Sequence, residues 1–218
     1  MSAAITLDLV LEKLGRVVMF GPDGHPVEPS RGLCKKHVFV LRESFRPLRP
    51  VDLDMLAAAT EQVQEAPERG LAVSLAEIPI ARVNALDDVR GDLLGRLDTL
   101  AAAGLPTLVT DVGELFRVAD HLRRYATPRV VFVAGTQTFT ALFREKPFEN
   151  LPGGVFEALG RLFTRGVTLA LYPDRDPRTG EPLQASAAEV PSEYRHLLRH
   201  LLDNGLIHEL RALPARPG

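Results

Sequence analysis

The chain has 218 residues, of which 45% are hydrophobic and 25% charged, a composition typical of a globular protein with one sizeable core. Its 26 basic and 28 acidic residues give a net charge of −2, which provides no electrostatic basis for a nucleic-acid partner. The single cysteine, Cys34, excludes an intramolecular disulfide and a cysteine-based zinc site.

The first residues do not have the pattern of a targeting segment. Asp8, Glu12 and Lys13 interrupt the apolar residues of MSAAITLDLVLEKLGR, so the basic start and continuous apolar run of a signal peptide are missing. No uninterrupted run of about 18 apolar residues occurs in the sequence, as a membrane-spanning helix would require. We therefore expect a cytoplasmic protein with no membrane partner.

The N-terminal 36 residues are predicted to form a helix and a turn-rich loop. Apolar residues at near-helical spacing run from Ile5 to Leu14, and Gly15 suits a helix end. A brief apolar run at Val17–Phe20 is followed by GPDGHPVEPSRG (21–32), which is dense in turn-forming residues.

From residue 37 to 210 the sequence alternates between apolar strands and amphipathic helices. Asp52 is predicted to cap one helix, Asp87 or Asp88 opens another, and Gly104 and Gly205 are predicted helix ends. Strands are predicted over 37–45, 71–78, 107–112, 129–134 and 167–172, and helices over 52–63, 87–104, 114–122, 138–145, 155–163 and 194–202.

This alternation predicts a single α/β domain over residues 1–218. Helices between successive strands imply right-handed crossovers and a mainly parallel sheet. About five strands fit a three-layer, Rossmann-like open sheet, and they are too few for an eight-stranded barrel. A half-barrel within a larger assembly is the structural alternative.

A ligand site is expected where the strands end, because open parallel sheets bind ligands outside the carboxyl ends of their strands. Four of the five predicted strands carry a carboxylate at that end. We treat these carboxylates as candidate acid–base groups or as oxygen ligands for Mg²⁺. They are Glu43, Glu77, Asp111 and Asp174.

A second group of residues at the strand ends is suited to binding an anion. Gly135, Thr136 and Gln137 lie at a strand-to-helix junction whose N–H groups and hydroxyls could receive phosphate, and Arg42 would contact it. The chain has no GxGxxG and no GxxxxGK[ST] motif. The structural alternatives are that Glu43 pairs with Arg42 or Arg46, that Asp111 caps the next helix, and that Gly135 and Thr136 serve a turn and a cap.

Two further patterns give weaker indications of chemistry. His196 and His200 have the i,i+4 spacing of metal ligands, but the apolar residues of that helix leave them on its solvent side. Cys34 precedes two lysines, which could lower a thiol pKa, although a buried or incidental cysteine is the favoured interpretation.

Several stretches together resemble one bacterial protein family. They are EPSRGLCKKHVFVLRESFRPLRPVDLDML (28–56), TDVGELFRVADHLRRY (110–125), FREKPFENLPGGVFEALGRLF (143–163), VTLALYPDRDPRTGEPL (167–183) and YRHLLRHLLDNGLI (194–207). They are similar to the C-terminal part of a family of unestablished activity whose members often carry the label nicotinate-nucleotide adenylyltransferase. The resemblance implies an α/β fold and a nucleotide or phosphorylated metabolite as ligand. The chain lacks the HxGH phosphate motif of that enzyme class.

Two functions are therefore open. The first is an enzyme or enzyme-like domain that binds a phosphorylated small molecule at the strand ends. The second is a non-catalytic interaction or scaffold domain, forming a homodimer through apolar stretches such as LPGGVFEALGRLF (151–163). A nucleic-acid-binding module is disfavoured by the nearly neutral charge.

Overall fold

A computed structural model describes residues 2–63, 72–83, 87–125, 129–144, 146–164, 166–173 and 190–212. These residues form a single sheet flanked by helices. The strands of the sheet are β1 (Val17–Phe20), β2 (His37–Arg42), β3 (Ala72–Pro79), β4 (Thr107–Thr110), β5 (Val130–Ala134), β6 (Val167–Leu171) and β7 (Ile207–Glu209).

The helices that separate these strands occur largely where the amphipathic patterns predicted them. In the described residues they are α1 (Ala3–Leu11), α2 (Pro29–Leu33), α3 (Pro50–Val63), α4 (Val89–Ala102), α5 (Leu115–Arg123), α6 (Thr136–Ala141), α7 (Gly154–Leu162) and α8 (Arg195–Asp203). Short 3₁₀ turns follow β3 at Ile80–Arg82, precede α7 at Lys146–Phe148 and precede α8 at Ser192–Tyr194.

The strand order is β1-β4-β3-β2-β5-β6-β7, and all neighbours except β1 and β4 run parallel. From β2 the chain moves outward through β3 and β4, and it then returns to the other side of β2 to build β5, β6 and β7. The direction of winding therefore reverses between β2 and β5, which makes this pair the topological switch point of the sheet. The predicted three-layer, mainly parallel fold is confirmed, and the half-barrel alternative is wrong.

The predicted number of strands was too low, because the sheet formed by the described residues has seven. The two additional strands are short and lie at its edges. Val17–Phe20 pairs antiparallel with β4, so the apolar run noted in the sequence is a strand. Ile207–Glu209 has only three residues, too few to show a period of two, and it pairs with β6.

The sheet separates two apolar cores. Alternate residues of β2 point to opposite faces, as a strand requires: Val38 and Val40 join one core, and Phe39 and Leu41 join the other. Helices α5 to α8 pack on the first face, and α1, α3 and α4 pack on the second. Both faces are covered, which explains why β2 and β5 consist entirely of buried residues.

Several helix ends follow the local chemistry of the sequence. The Asp88 carboxylate accepts the Gly91 N–H at 2.8 Å and caps α4. Gly104 and Gly205 have φ angles of 69° and 65° after α4 and α8, a conformation that glycine adopts without steric cost. All three helix ends were predicted from the sequence.

The predicted cap at Asp52 is wrong. Helix α3 begins two residues earlier, at Pro50, and Asp52 lies inside its first turn. The Asp52 carboxylate reaches back to accept the Arg49 N–H at 2.8 Å, and it also pairs with the Arg49 guanidinium at 2.7 Å. Asp52 is only 1% exposed, so the N-terminus of α3 already holds a buried negative charge of the chain itself.

We expect Asp88→Ala to lower the free energy of unfolding by about 1 kcal/mol, because the Gly91 N–H loses its acceptor. Urea denaturation measures this change. Asp98→Ala is the matched control, since Asp98 is exposed on the same helix. Equal losses in the two variants would contradict a specific capping role for Asp88.

Candidate active site at the switch point

A cavity of about 350 Å³ opens at the carboxyl edge of the sheet. We name it the edge cavity. Arg42 at the end of β2 forms one wall, and residues 113–115 before and at the start of α5 form a second. Thr138 of α6 and Leu142, which follows that helix, form a third. Because β2 and α6, which follows β5, lie on either side of the winding reversal, the edge cavity lies at the switch point.

The lining of the edge cavity combines a few polar groups with an apolar surface. Arg42, Glu114 and Thr138 supply the polar side chains. The apolar part consists of Leu115, Ala141, Leu142 and Phe148. Pockets of this size with a few convergent polar groups are typical of small-molecule sites.

Arg42 is fixed in position by groups from two neighbouring strand ends. Its Nη2 donates to the Val112 carbonyl oxygen at 2.6 Å, and its Nε lies 3.2 Å from a Glu77 carboxylate oxygen. Arg42 is the last residue of β2 and only 6% exposed. The guanidinium therefore has a defined orientation in the cavity wall.

Glu77 lies beneath Arg42 and is fully buried. Its second carboxylate oxygen accepts the Thr110 hydroxyl at 2.5 Å. Arg42, Glu77 and Thr110 thus form a buried polar cluster across the ends of β2, β3 and β4. Burying a charged pair costs free energy unless each charge has well-placed partners. We therefore expect the three side chains of this cluster to have fixed positions.

The segment after β2 differs from the glycine-rich turn that dinucleotide-binding folds place at this point. Residues 43–49 contain no glycine. Phe45 is buried with a φ of 48°, and the guanidinium of Arg96, only 5% exposed, donates to the Ser44 carbonyl oxygen. Helix starts bind pyrophosphate through free N–H groups, but Pro50 has none and the Asp52 carboxylate already accepts the Arg49 N–H. The start of α3 is therefore not suited to a pyrophosphate.

Among the described residues, the other predicted site residues lie near these strand ends but do not line the edge cavity. The Glu43 N–H donates to the Glu77 carbonyl oxygen at 3.2 Å, and the Asp111 N–H donates to the Arg16 carbonyl oxygen at 2.8 Å. Gly135 is the N-cap of α6, with Thr136 and Gln137 in its first turn, and the next residue, Thr138, lines the edge cavity. Asp174 lies outside the described residues.

One of the structural alternatives suggested for these residues is wrong. Arg42 pairs with Glu77 and Arg46 with Asp92, and a pairing of Glu43 with Arg42 stays a prediction. Helix α5 has Glu114, not Asp111, at its N-cap position, and no side-chain capping bond is formed there. Glu114 instead pairs with Arg117 at 2.9 Å.

Sequence reasoning missed most of the cavity lining. The lining contributed by Leu115, Ala141, Leu142 and Phe148 was not identified from the sequence. An apolar residue that lines a cavity has the same sequence pattern as one that fills a core, so no local signal could have separated them.

Within the described ranges, no group of three or more histidine, cysteine or acidic residues has the arrangement to hold a metal ion. Cys34 is exposed, and the His200 ring contacts the Asn204 amide at 3.2 Å. In the same part of the chain, no helix has both the length and the apolar character needed to cross a bilayer.

No protein-family model matches the chain, and no curated protein matches it.

We expect the Arg42–Glu77 pair to show strong coupling in unfolding experiments. Arg42→Met or Glu77→Leu alone should lower the free energy of unfolding by about 3–5 kcal/mol, because each leaves one buried charge without its ion-pair partner. The double variant should lose much less than the sum, since it removes both charges.

Urea denaturation of the four proteins provides this comparison. If a single variant does not fold but the double variant can be purified, that result also demonstrates the coupling. Glu61→Leu, on the exposed side of α3, is the control and should change stability by less than about 0.5 kcal/mol. Additive losses would show that the two charges do not depend on each other.

Proposed function

We propose that this chain binds a phosphorylated small molecule, a nucleotide or a phosphorylated metabolite, in the edge cavity. The observation that carries the proposal is the position of that cavity at the switch point, with the oriented Arg42 guanidinium in its wall. An open parallel sheet binds its ligand at this point more than at any other, and arginine is well suited to phosphate.

The support of Arg42 favours anion binding. A guanidinium that is already oriented by Glu77 and the Val112 carbonyl loses little conformational freedom when a ligand arrives. Its planar set of donors matches phosphate geometry better than a flexible ammonium group does. Thr138, which also lines the edge cavity, is proposed as a second hydrogen-bonding residue for the same ligand.

The proposal also assigns roles to the carboxylates. Both oxygens of Glu77 are engaged, by Arg42 and by Thr110, so Glu77 is proposed as a positioning residue rather than an acid or base. Glu43 and Asp111, which follow β2 and β4, are the proposed acid–base groups if the ligand reacts. Asp174 keeps this role as a prediction for the last strand end.

The alternative proposal is an interaction domain that forms a homodimer. The apolar stretch 151–163 that motivated it is largely used inside the protein, because Val155, Leu159 and Leu162 are buried in the core. Phe156 on the same helix is 61% exposed and is the observation that favours this alternative. Sedimentation at high protein concentration distinguishes a dimer from a monomer.

A thermal-shift screen against nucleotides, sugar phosphates and pyridine nucleotides, with and without Mg²⁺, tests the main proposal. A bound ligand at about 100 times its dissociation constant should add roughly 2.7 kcal/mol to the free energy of unfolding. Ala141→Trp fills the edge cavity and should abolish that gain, whereas Ala102→Trp, on the exposed end of α4, should preserve it. A ligand that stabilises both variants equally binds elsewhere, and a panel without any stabilising compound contradicts the proposal.

Arg42→Lys tests the role of the guanidinium. The variant keeps the positive charge but loses the planar donor pattern, so we expect a dissociation constant about ten- to a hundredfold higher. Isothermal titration with the ligand found in the screen measures it. An unchanged affinity would exclude Arg42 as the anion-binding group.

A further inference from the structure

Glu114 is an acidic residue in the lining of the edge cavity. It stands at the N-cap position of α5, between Gly113 and Leu115, which line the same cavity. Its Oε2 accepts the Arg117 Nε–H at 2.9 Å, and its side chain is 25% exposed. In the part of the chain that the structure describes, its other carboxylate oxygen, Oε1, has no hydrogen-bond partner. Glu114 therefore retains the capacity to accept a hydrogen bond from a ligand.

We infer that Glu114 selects a ligand that carries a hydrogen-bond donor, an ammonium or a hydroxyl group, on the same small molecule as its phosphate. This inference rests on the proposed function, in which Arg42 binds the phosphate. It narrows the ligand class to phosphorylated amines and phosphorylated polyols. Phosphate esters whose remaining groups are all apolar lie outside this class.

The polar side chains of the edge cavity have complementary hydrogen-bonding capacities. Arg42 only donates, the Glu114 carboxylate only accepts, and Thr138 does either. A phosphate supplies acceptors for Arg42 and no donor for Glu114. A ligand that displaces water from the Glu114 carboxylate without replacing its hydrogen bonds loses free energy. A ligand with both a phosphate and a donor satisfies both residues.

The charges of the two residues favour the same class of ligand. Arg42 Nη2 donates to the Val112 carbonyl oxygen at 2.6 Å, and Val112 precedes Glu114 by two residues, so both residues are attached to the segment between β4 and α5. A phosphate bound by Arg42 and the Glu114 carboxylate are like charges that repel each other. An ammonium or hydroxyl group beside the carboxylate reduces this repulsion.

Two sets of phosphate monoesters test the inference by isothermal titration. n-Propyl, 2-hydroxyethyl and 2-aminoethyl phosphate are of equal length and differ in their terminal group. n-Butyl, 3-hydroxypropyl and 3-aminopropyl phosphate repeat the comparison with a longer chain. We expect the best hydroxy or amino ester to bind about tenfold more tightly than the alkyl ester of its length, because it forms a hydrogen bond to a charged group. A preference for the amino ester identifies a phosphorylated amine, and a preference for the hydroxy ester identifies a phosphorylated polyol.

Glu114→Met removes the acceptor and keeps a side chain of similar length. It should lower the affinity for the preferred ester about tenfold. It should not weaken binding of the matching alkyl ester, which forms no hydrogen bond with Glu114. Glu61→Met, exposed on α3 on the other face of the sheet, is the control and should leave each affinity unchanged. If Glu114→Met does not fold, Glu114→Gln makes the same test with the amino esters, because it removes the charge.

The outcomes separate this inference from the proposed function. Equal binding of the three esters at both lengths overturns the inference, and so does an equal loss of affinity for alkyl and preferred esters in Glu114→Met. Phosphate binding that Ala141→Trp abolishes would then still support the proposed function. If a nucleotide binds and the esters do not, an unchanged affinity of Glu114→Met for that nucleotide overturns the inference. If neither the esters nor the nucleotides bind, both proposals are overturned.

Discussion

The burial of Arg42 against Glu77 is the constraint on which the candidate site depends. A charged pair this deep is tolerated only because its partners are well placed: the Glu77 carboxylate of β3, the Thr110 hydroxyl of β4 and the Val112 carbonyl just after β4. The register of three parallel strands therefore determines where the guanidinium lies. The winding of the sheet also reverses at β2. Arg42 therefore belongs both to the buried ion pair and to the topological switch point.

The carboxyl edge of the sheet is filled by protein groups on one face and open on the other. On the face of α3 and α4, the chain fills the space with its own groups: Phe45 is buried, Arg96 holds the Ser44 carbonyl, and Asp52 occupies the start of α3. On the face of α5 and α6, the same edge remains open as a cavity. The asymmetry explains how a sheet with dinucleotide-fold strand order can lack a glycine-rich turn and still have a ligand-sized space.

The sequence was sufficient to predict what depends on local pattern. Continuous apolar runs predicted β2 and β5, and Asp88 and Gly104 predicted the ends of α4. The rule that ligands bind at the carboxyl ends of parallel strands selected Arg42 and Glu77. It could not predict what depends on distant partners. The short edge strands β1 and β7 are extended because they pair with β4 and β6, and these partners lie far away in the sequence. Glu77 was selected because it lies at a strand end, and its contacts with Arg42 and Thr110, which exist only in the folded sheet, could not be predicted.

The walls of the edge cavity come from segments that are far apart in the chain. Arg42 belongs to the half of the sheet built from β2 to β4, whereas Thr138 and Leu142 follow β5 in the other half. A nascent or partly folded chain cannot assemble these walls until its two halves have paired, and such long-range pairing is slow. A ligand of this cavity would consequently bind only the native state. It would raise the amount of native protein at equilibrium without guiding the early steps by which that protein forms.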